Sequence, residues 1–281
     1  MSSTSASSVR RPWSWPAWLG PKHLISLLIT LILVVGELSY HILGGYERLV
    51  VALSACLLTE IVLAWWTIGR FALLQSAYIS GISLSLLLKP QGDLLWPFAL
   101  GGAISICSKY ALRLRGQHLW NPTNLGVGVL LLLAAPKVAI LSHEWGNELP
   151  TNLVIWGVGL LIASRVRILH VTLTYVASFL ALAWVRHLIT GAPLGAEMAP
   201  VTGPMYQLFI FFMITDPRTT VGTRRGRILV AFLVALVEAL LRLGNDYGLA
   251  AVAPFASAPA IFALFFVGPV AKALDVLRRR A

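Results

Sequence analysis

The chain has 281 residues, 58% hydrophobic and 12% charged, with a mean hydropathy of +0.80. A water-solvated domain carries roughly 25% charged residues, so this composition excludes an ordinary soluble fold and points to a chain solvated by membrane lipid. The net charge of +11 comes from basic residues in short clusters between apolar runs. That pattern orients membrane proteins; it does not mark a nucleic-acid binder.

Residues 1–22 are rich in Ser, Pro, Arg and Trp, without an apolar core or small-residue cleavage site. They read as a disordered basic cytoplasmic tail anchored at the interface by Trp13, Trp15 and Trp18, not as a signal peptide. A helix needs about 20 residues to cross a bilayer. Apolar segments of about that length, some shorter, lie near 23–44, 49–68, 71–88, 94–112, 122–141, 150–165, 168–189, 202–215, 226–244 and 255–274. The expected fold is therefore an all-α polytopic membrane protein of about ten transmembrane helices. A single transmembrane domain covers 23–275, and 276–281 form a second basic cytoplasmic tail. Cys56 and Cys107 both fall inside apolar segments, which leaves no disulfide framework and no paired metal ligands.

Ten crossings place both termini on one side. With that side inside, Arg48, Lys89, Lys137, Arg186 and Arg242 are the only basic residues outside, five of the 22. This bias expects both ends in the cytoplasm. The halves, about 23–141 and 150–275, echo one another. Lys109-Tyr-Ala-Leu-Arg113-Leu matches Glu238-Ala-Leu-Leu-Arg242-Leu, and Ser85-Leu-Leu-Leu-Lys89-Pro90 matches Phe212-Met-Ile-Thr-Asp216-Pro217. Five-helix units in tandem must be inverted, the plan of many transporters.

Two polar stretches interrupt the apolar sequence. Lys109 to Gly126 carries four basic side chains and Asn121-Pro122-Thr123-Asn124 at the start of the fifth span. Asn and Pro there are ordinary helix-start chemistry. Alternatively, the positive helix end, with Lys109, Arg113, Arg115 and His118 nearby, binds a phosphate or an isoalloxazine carbonyl. The second stretch, Thr215-Asp216-Pro217-Arg218-Thr219-Thr220, ends the eighth span and reads either as a loop ion-pair network or as part of the same anion site. Glu60 and Glu238 lie within spans, where an ionisable group costs at least about 2.5 kcal/mol and needs a partner or water. Glu238 and Arg242 at i, i+4 pair most simply with each other; Glu60 and Glu238 are the candidates for an ion path. No nucleophile–base pair, P-loop or zinc pattern occurs, so no catalytic residue is assigned.

The basic helix end followed by Asn-Pro-Thr-Asn, with Phe211-Phe-Met-Ile-Thr215-Asp216-Pro217 further on, resembles the Rnf-D/Nqr-B family, the membrane components of Rnf complexes and of sodium-translocating NADH:quinone oxidoreductase. Ser80-Gly81-Ile-Ser-Leu-Ser, Ser108-Lys-Tyr, Arg115-Gly-Gln-His-Leu-Trp-Asn-Pro and Thr202-Gly-Pro are most similar to the UnbU-type branch associated with enediyne biosynthesis. The resemblance implies a ten-helix inverted repeat, a bound flavin, and electron transfer coupled to Na+ or H+ movement alongside other redox subunits or a soluble flavoprotein. It places FMN or riboflavin near Lys109, Arg113, His118, Asn121, Thr123, Asn124, Thr215, Asp216 and Thr219. The family esterifies FMN to the last Thr of a Ser/Thr-Gly-Ala-Thr motif; here Thr190-Gly191-Ala192-Pro193 ends in a residue without a hydroxyl, so any flavin is expected to be non-covalent. The rival expectations are a transporter or channel on the same fold, and a membrane scaffold for a biosynthetic complex.

Overall fold

A computed structural model describes residues 21–70, 74–135, 137–140, 149–165 and 167–279. Trp13, Trp15, Trp18 and the rest of the expected N-terminal tail up to residue 20 lie outside them. Helices occupy α1 (Pro21–Tyr40), α2 (Tyr46–Ile68), α3 (Gln75–Leu87), α4 (Trp96–Ala111), α5 (Pro122–Leu133), α6 (Leu149–Arg165), α7 (Leu169–Thr190), α8 (Leu194–Met198), α9 (Pro204–Leu208), α10 (Arg224–Asp246) and α11 (Pro259–Arg278). The fold is all-α. Four helices, α2, α7, α10 and α11, are long and apolar enough to cross a membrane. Their outer faces stay bare: Leu58 is 62% exposed, Leu188 61% and Val270 62%. Apolar surface on this scale is stable only against lipid or a partner, which supports a multi-pass membrane protein.

The termini of the helices follow local chemistry. Gly69 and Gly191 end α2 and α7 in the left-handed conformation. Asn121 caps α5, its Oδ1 accepting from the Asn124 amide at 3.1 Å, and Thr223 caps α10 in the same way. The short span expected near 202–215 is preceded by an interruption and begins at Pro204. A 3-10 turn at Ala199–Thr202 leads through Gly203 into α9, which passes into a π-helical turn at Phe209–Met213. Pro200 and Pro204 each lack the amide that a continuous helix would use, and both stand at a helix start. The expected tenth span begins instead with a 3-10 turn at Ala250–Phe255, and α11 starts only at Pro259. At its other end α11 runs on to Arg278, through the first residues of the expected tail.

Packing uses small residues at close crossings, as membrane helices do. A Cβ on Gly126 of α5 would meet Ser105 Oγ at 2.1 Å and the Gly101 carbonyl at 2.7 Å on α4. Helix α2 lies along α4, α4 against α5, and α1 against α3; α7 lies along α10, α10 against α11, and α6 against α9. Two short antiparallel pairings add the only β-structure among the described residues. Leu88–Pro90 pairs with Val138–Ile140, and Arg113–Leu114 pairs with Gln117–His118.

Candidate functional site

The stretch after α4 turns back on itself in a two-residue hairpin. Arg115 (φ 50°) and Gly116 (φ 79°) form its tip, the pair of positive φ values that a tight hairpin requires. Glycine adopts this freely; Arg115 is held there by a bond from its guanidinium to the Val276 carbonyl at 3.3 Å. The register sets Arg113 opposite His118. Arg113 Nε donates to the Lys109 carbonyl, and its guanidinium lies 4.9 Å from the centre of the Tyr110 ring.

The loop after the π-helical turn is organised by Asp216. Its carboxylate accepts from the Arg218 amide at 3.0 Å, the Thr219 hydroxyl at 3.0 Å and Asn121 Nδ2 at 3.3 Å. Asn121 therefore works at both ends, capping α5 with its oxygen and reaching the second polar stretch with its nitrogen. From α11, Lys272 donates to the Thr220 carbonyl at 2.9 Å. The two stretches, about a hundred residues apart in sequence, are thereby joined by one side chain.

Between them lies a cavity of about 390 Å³, inside the roughly 300–1,000 Å³ range of small-molecule sites. Glu60, Lys109, Arg113, His118, Asn121, Thr123, Thr215, Asp216 and Thr219 all line it. Apolar wall comes from Ile79, Ile162, Ile168, Phe211 and Phe212. Glu60 and Lys109, each 4% exposed, form a buried ion pair between α2 and α4, and Tyr110 Oη donates to the second Glu60 oxygen at 3.0 Å. Arg113 and Arg218, both exposed, form no ion pair among the described residues, and against Asp216 on the same wall they leave the cavity with an excess of positive charge.

Two expected site residues sit elsewhere. Asn124 is off the cavity wall, with its amide donating to the Ile261 carbonyl at 3.0 Å; it joins α5 to the start of α11. Glu238 belongs to a separate network: Tyr175 and Tyr206 donate to its two oxygens and Arg242 Nε approaches at 3.1 Å. The i, i+4 pairing read from the sequence is present; the tyrosines from α7 and α9 carry no sequence signal that links them to it. Residues the sequence did not offer as a site include Ser76, Ser80 and Ser83, whose i, i+4, i+7 spacing on apolar α3 is the signal that could have found them.

Electrostatics at the loops favour an anionic guest. Burial lowers the His118 imidazole to about 4, and the neighbouring Arg113, Lys109 and Arg218 charges act in the same direction. His118 is thus neutral near pH 7, and its buried Nδ1 has no partner among the described residues. Burial raises the Asp216 carboxyl above its ordinary range, opposed by the three hydrogen bonds it accepts and by the Arg218 charge. The arrangement can bind and orient a planar, partly anionic molecule. No protein-family model matches the chain and no curated protein matches it.

Proposed function

We propose that this chain is the membrane element of an electron-transfer system, holding a flavin (FMN or riboflavin) or a quinone non-covalently in the cavity between its two polar stretches. The observation that carries this reading is the cavity itself, which gathers eight residues singled out from two distant motifs, with Glu60 beside them. Its chemistry fits the group: aromatic and branched walls suit a planar ring, and Arg113 with Arg218 suits a phosphate or a reduced, anionic ring. A bound flavin supplies one- and two-electron transfer. The chain's part is to hold the ring, exclude water with Phe211 and Phe212, and compensate charge with Lys109 and the arginines.

Thr190 supports non-covalent attachment. Its hydroxyl donates to the Arg186 carbonyl at 2.9 Å and accepts the Ala192 amide at 3.2 Å, closing the turn that ends α7. Pro193 follows with nothing to esterify.

The membrane arrangement in this reading has ten spans in two inverted halves with both termini inside. It is supported by a partial recurrence of packing, α2–α4–α5 with α1–α3, then α7–α10–α11 with α6–α9; α2 also lies closely on α3, where α7 lies on the π-helical turn that follows α9. Pro122 and Pro259 stand in the first turn of α5 and α11. Coupling to Na+ or H+ movement, and partnership with other redox subunits or a soluble flavoprotein, belong to the same reading. The test is to extract purified protein with acid and identify the released small molecules by mass spectrometry. A flavin or quinone near one per chain is expected. A folded protein with an empty extract, which also fails to take up added FMN, riboflavin or menadione, would refute it.

A further inference from the structure

Helices α7 and α10 lie side by side and start at the same end of the bundle: the His170 imidazole, in the first turn of α7, lies within reach of the Arg224 and Arg227 charges of α10. Arg227 is engaged, its Nε donating to the Val221 carbonyl at 2.9 Å. Arg224 and Arg225, which open α10, are both exposed and form no ion pair among the described residues. No acidic residue stands in that first turn, although the positive end of a helix favours an anion and disfavours a cation. Asp275, which α11 brings to this loop, is already taken: it accepts from the Gly222 amide at 3.0 Å and pairs with Arg279 at 2.8 Å. Near these charges the buried His170 Nε2 has no hydrogen-bond partner among the described residues, which is unfavourable unless something outside the chain supplies one. Further along both helices the surface turns apolar. Arg225, Leu229 and Phe232 share one face of α10 at i, i+4, i+7, and Leu229, Phe232 and, on α7, Leu173 are all exposed. Both helices are long and apolar enough to cross a membrane.

We propose that the first turns of α7 and α10 hold an anionic phospholipid, its phosphate taken by Arg224, Arg225 and His170 Nε2 and its acyl chains lying on Leu173, Leu229 and Phe232. The site is separate from the cavity and does not depend on what fills it. Charge complementarity selects the occupant. Guanidinium groups fork onto phosphate oxygens in charge-assisted bonds stronger than neutral ones, and an imidazole with its proton on Nε2 adds a further donor. Basic pockets between membrane helices at one face of the bilayer take anionic headgroups in this way. A zwitterionic lipid carries its own cation next to the phosphate and would bring it against three arginines. A soluble phosphate has no chains to cover the apolar strip.

The test records native mass spectra of delipidated, detergent-purified full-length protein with dioleoylphosphatidylglycerol, with dioleoylphosphatidylcholine, and with the first lipid against an excess of inorganic phosphate. Phosphatidylglycerol should bind about tenfold tighter than phosphatidylcholine, and inorganic phosphate should not displace it. Arg225→Gln should weaken phosphatidylglycerol about tenfold to hundredfold, the loss of a charge-assisted bond, and His170→Leu about three- to tenfold. Arg278→Gln removes an equal charge at the end of α11 and should leave the affinity unchanged. If the two lipids bind alike, if Arg278→Gln weakens binding as much as Arg225→Gln, or if His170→Leu binds as wild type does, the basic patch attracts membrane charge only diffusely and the site falls. Displacement by inorganic phosphate would overturn the lipid assignment.

Discussion

The Glu60–Lys109 pair offers the sharpest test of how the cavity is built. Both side chains are nearly dry, at 6% and 5% exposure, so neither charge is screened by solvent. Removing one partner of such a pair leaves an uncompensated buried charge and costs about 3–5 kcal/mol. Glu60→Gln keeps an acceptor for Tyr110 and Lys109→Met keeps the aliphatic stem, so each isolates the charge. At about 2–4 °C per kcal/mol for a chain of this size, each single variant should melt about 6–20 °C below wild type. The double variant carries no buried charge at this position and should return to within about 2 kcal/mol of wild type. The assay is the monodisperse fraction on size exclusion after heating in detergent. Lys109→Met within the double variant should still bind an anionic ligand more weakly, although stability has returned. A double variant as unstable as the sum of the singles would refute the reasoning, because it would mean that the two residues act through separate contacts.

Further expectations follow from the same residues. Reporter fusions after Arg115, Arg167 and Arg225 should read cytoplasmic, and those after Asp93 and Asp246 periplasmic; two reversed signals would remove the ten-span arrangement. His118 titrates near 6.5 when unfolded and at about 4 in the fold. Between those values the unfolded chain binds the extra proton, so stability falls as pH falls through that window. His118→Asn should flatten the dependence of melting temperature on pH between about 6.5 and 4, and equal slopes for the two proteins would count against a depressed imidazole. Any flavin should leave the protein on denaturation, because Pro193 lacks an acceptor; a fluorescent band at the protein's own mass on a denaturing gel would contradict this.

Much of the helical framework is legible in the sequence because apolar length, glycine stops and proline starts are local signals. Asn121 reads as a cap from its place before Pro122, and the bond to Asn124 bears that out. Its second bond, to Asp216, joins residues 95 positions apart, and no pattern within either motif announces it. The same holds for Glu60: the cost of a carboxylate in hydrocarbon demands a partner, but only the crossing of α2 on α4 selects Lys109. The hairpin at Arg113–His118 is too short for an alternating pattern, and Gly116 is its single clue. The short span expected near 202–215 starts at Pro204, after Gly203, and its passage from α- to π-helix at Phe209 has no signal in hydropathy. The serine face of α3 stands in the sequence at helical spacing, yet nothing there distinguishes a face turned to a cavity from one packed on a neighbour.

The central claim is that the two polar stretches together bind an anionic redox cofactor, and its most direct test is the visible absorption spectrum of the detergent-purified protein and three variants. Wild type should show a flavin band. Arg113→Gln, and Lys109→Gln made together with Glu60→Gln so that no buried charge is stranded, should each lower that band, with apparent affinity about tenfold to hundredfold weaker from the loss of a charge-assisted bond, at unchanged membrane insertion. Arg278→Gln, at the end of α11, should match wild type. A wild type that shows no flavin band and takes up neither FMN, riboflavin nor menadione, or core variants that fail only by misinsertion, would contradict the account and leave the basic cluster as an orientation signal alone.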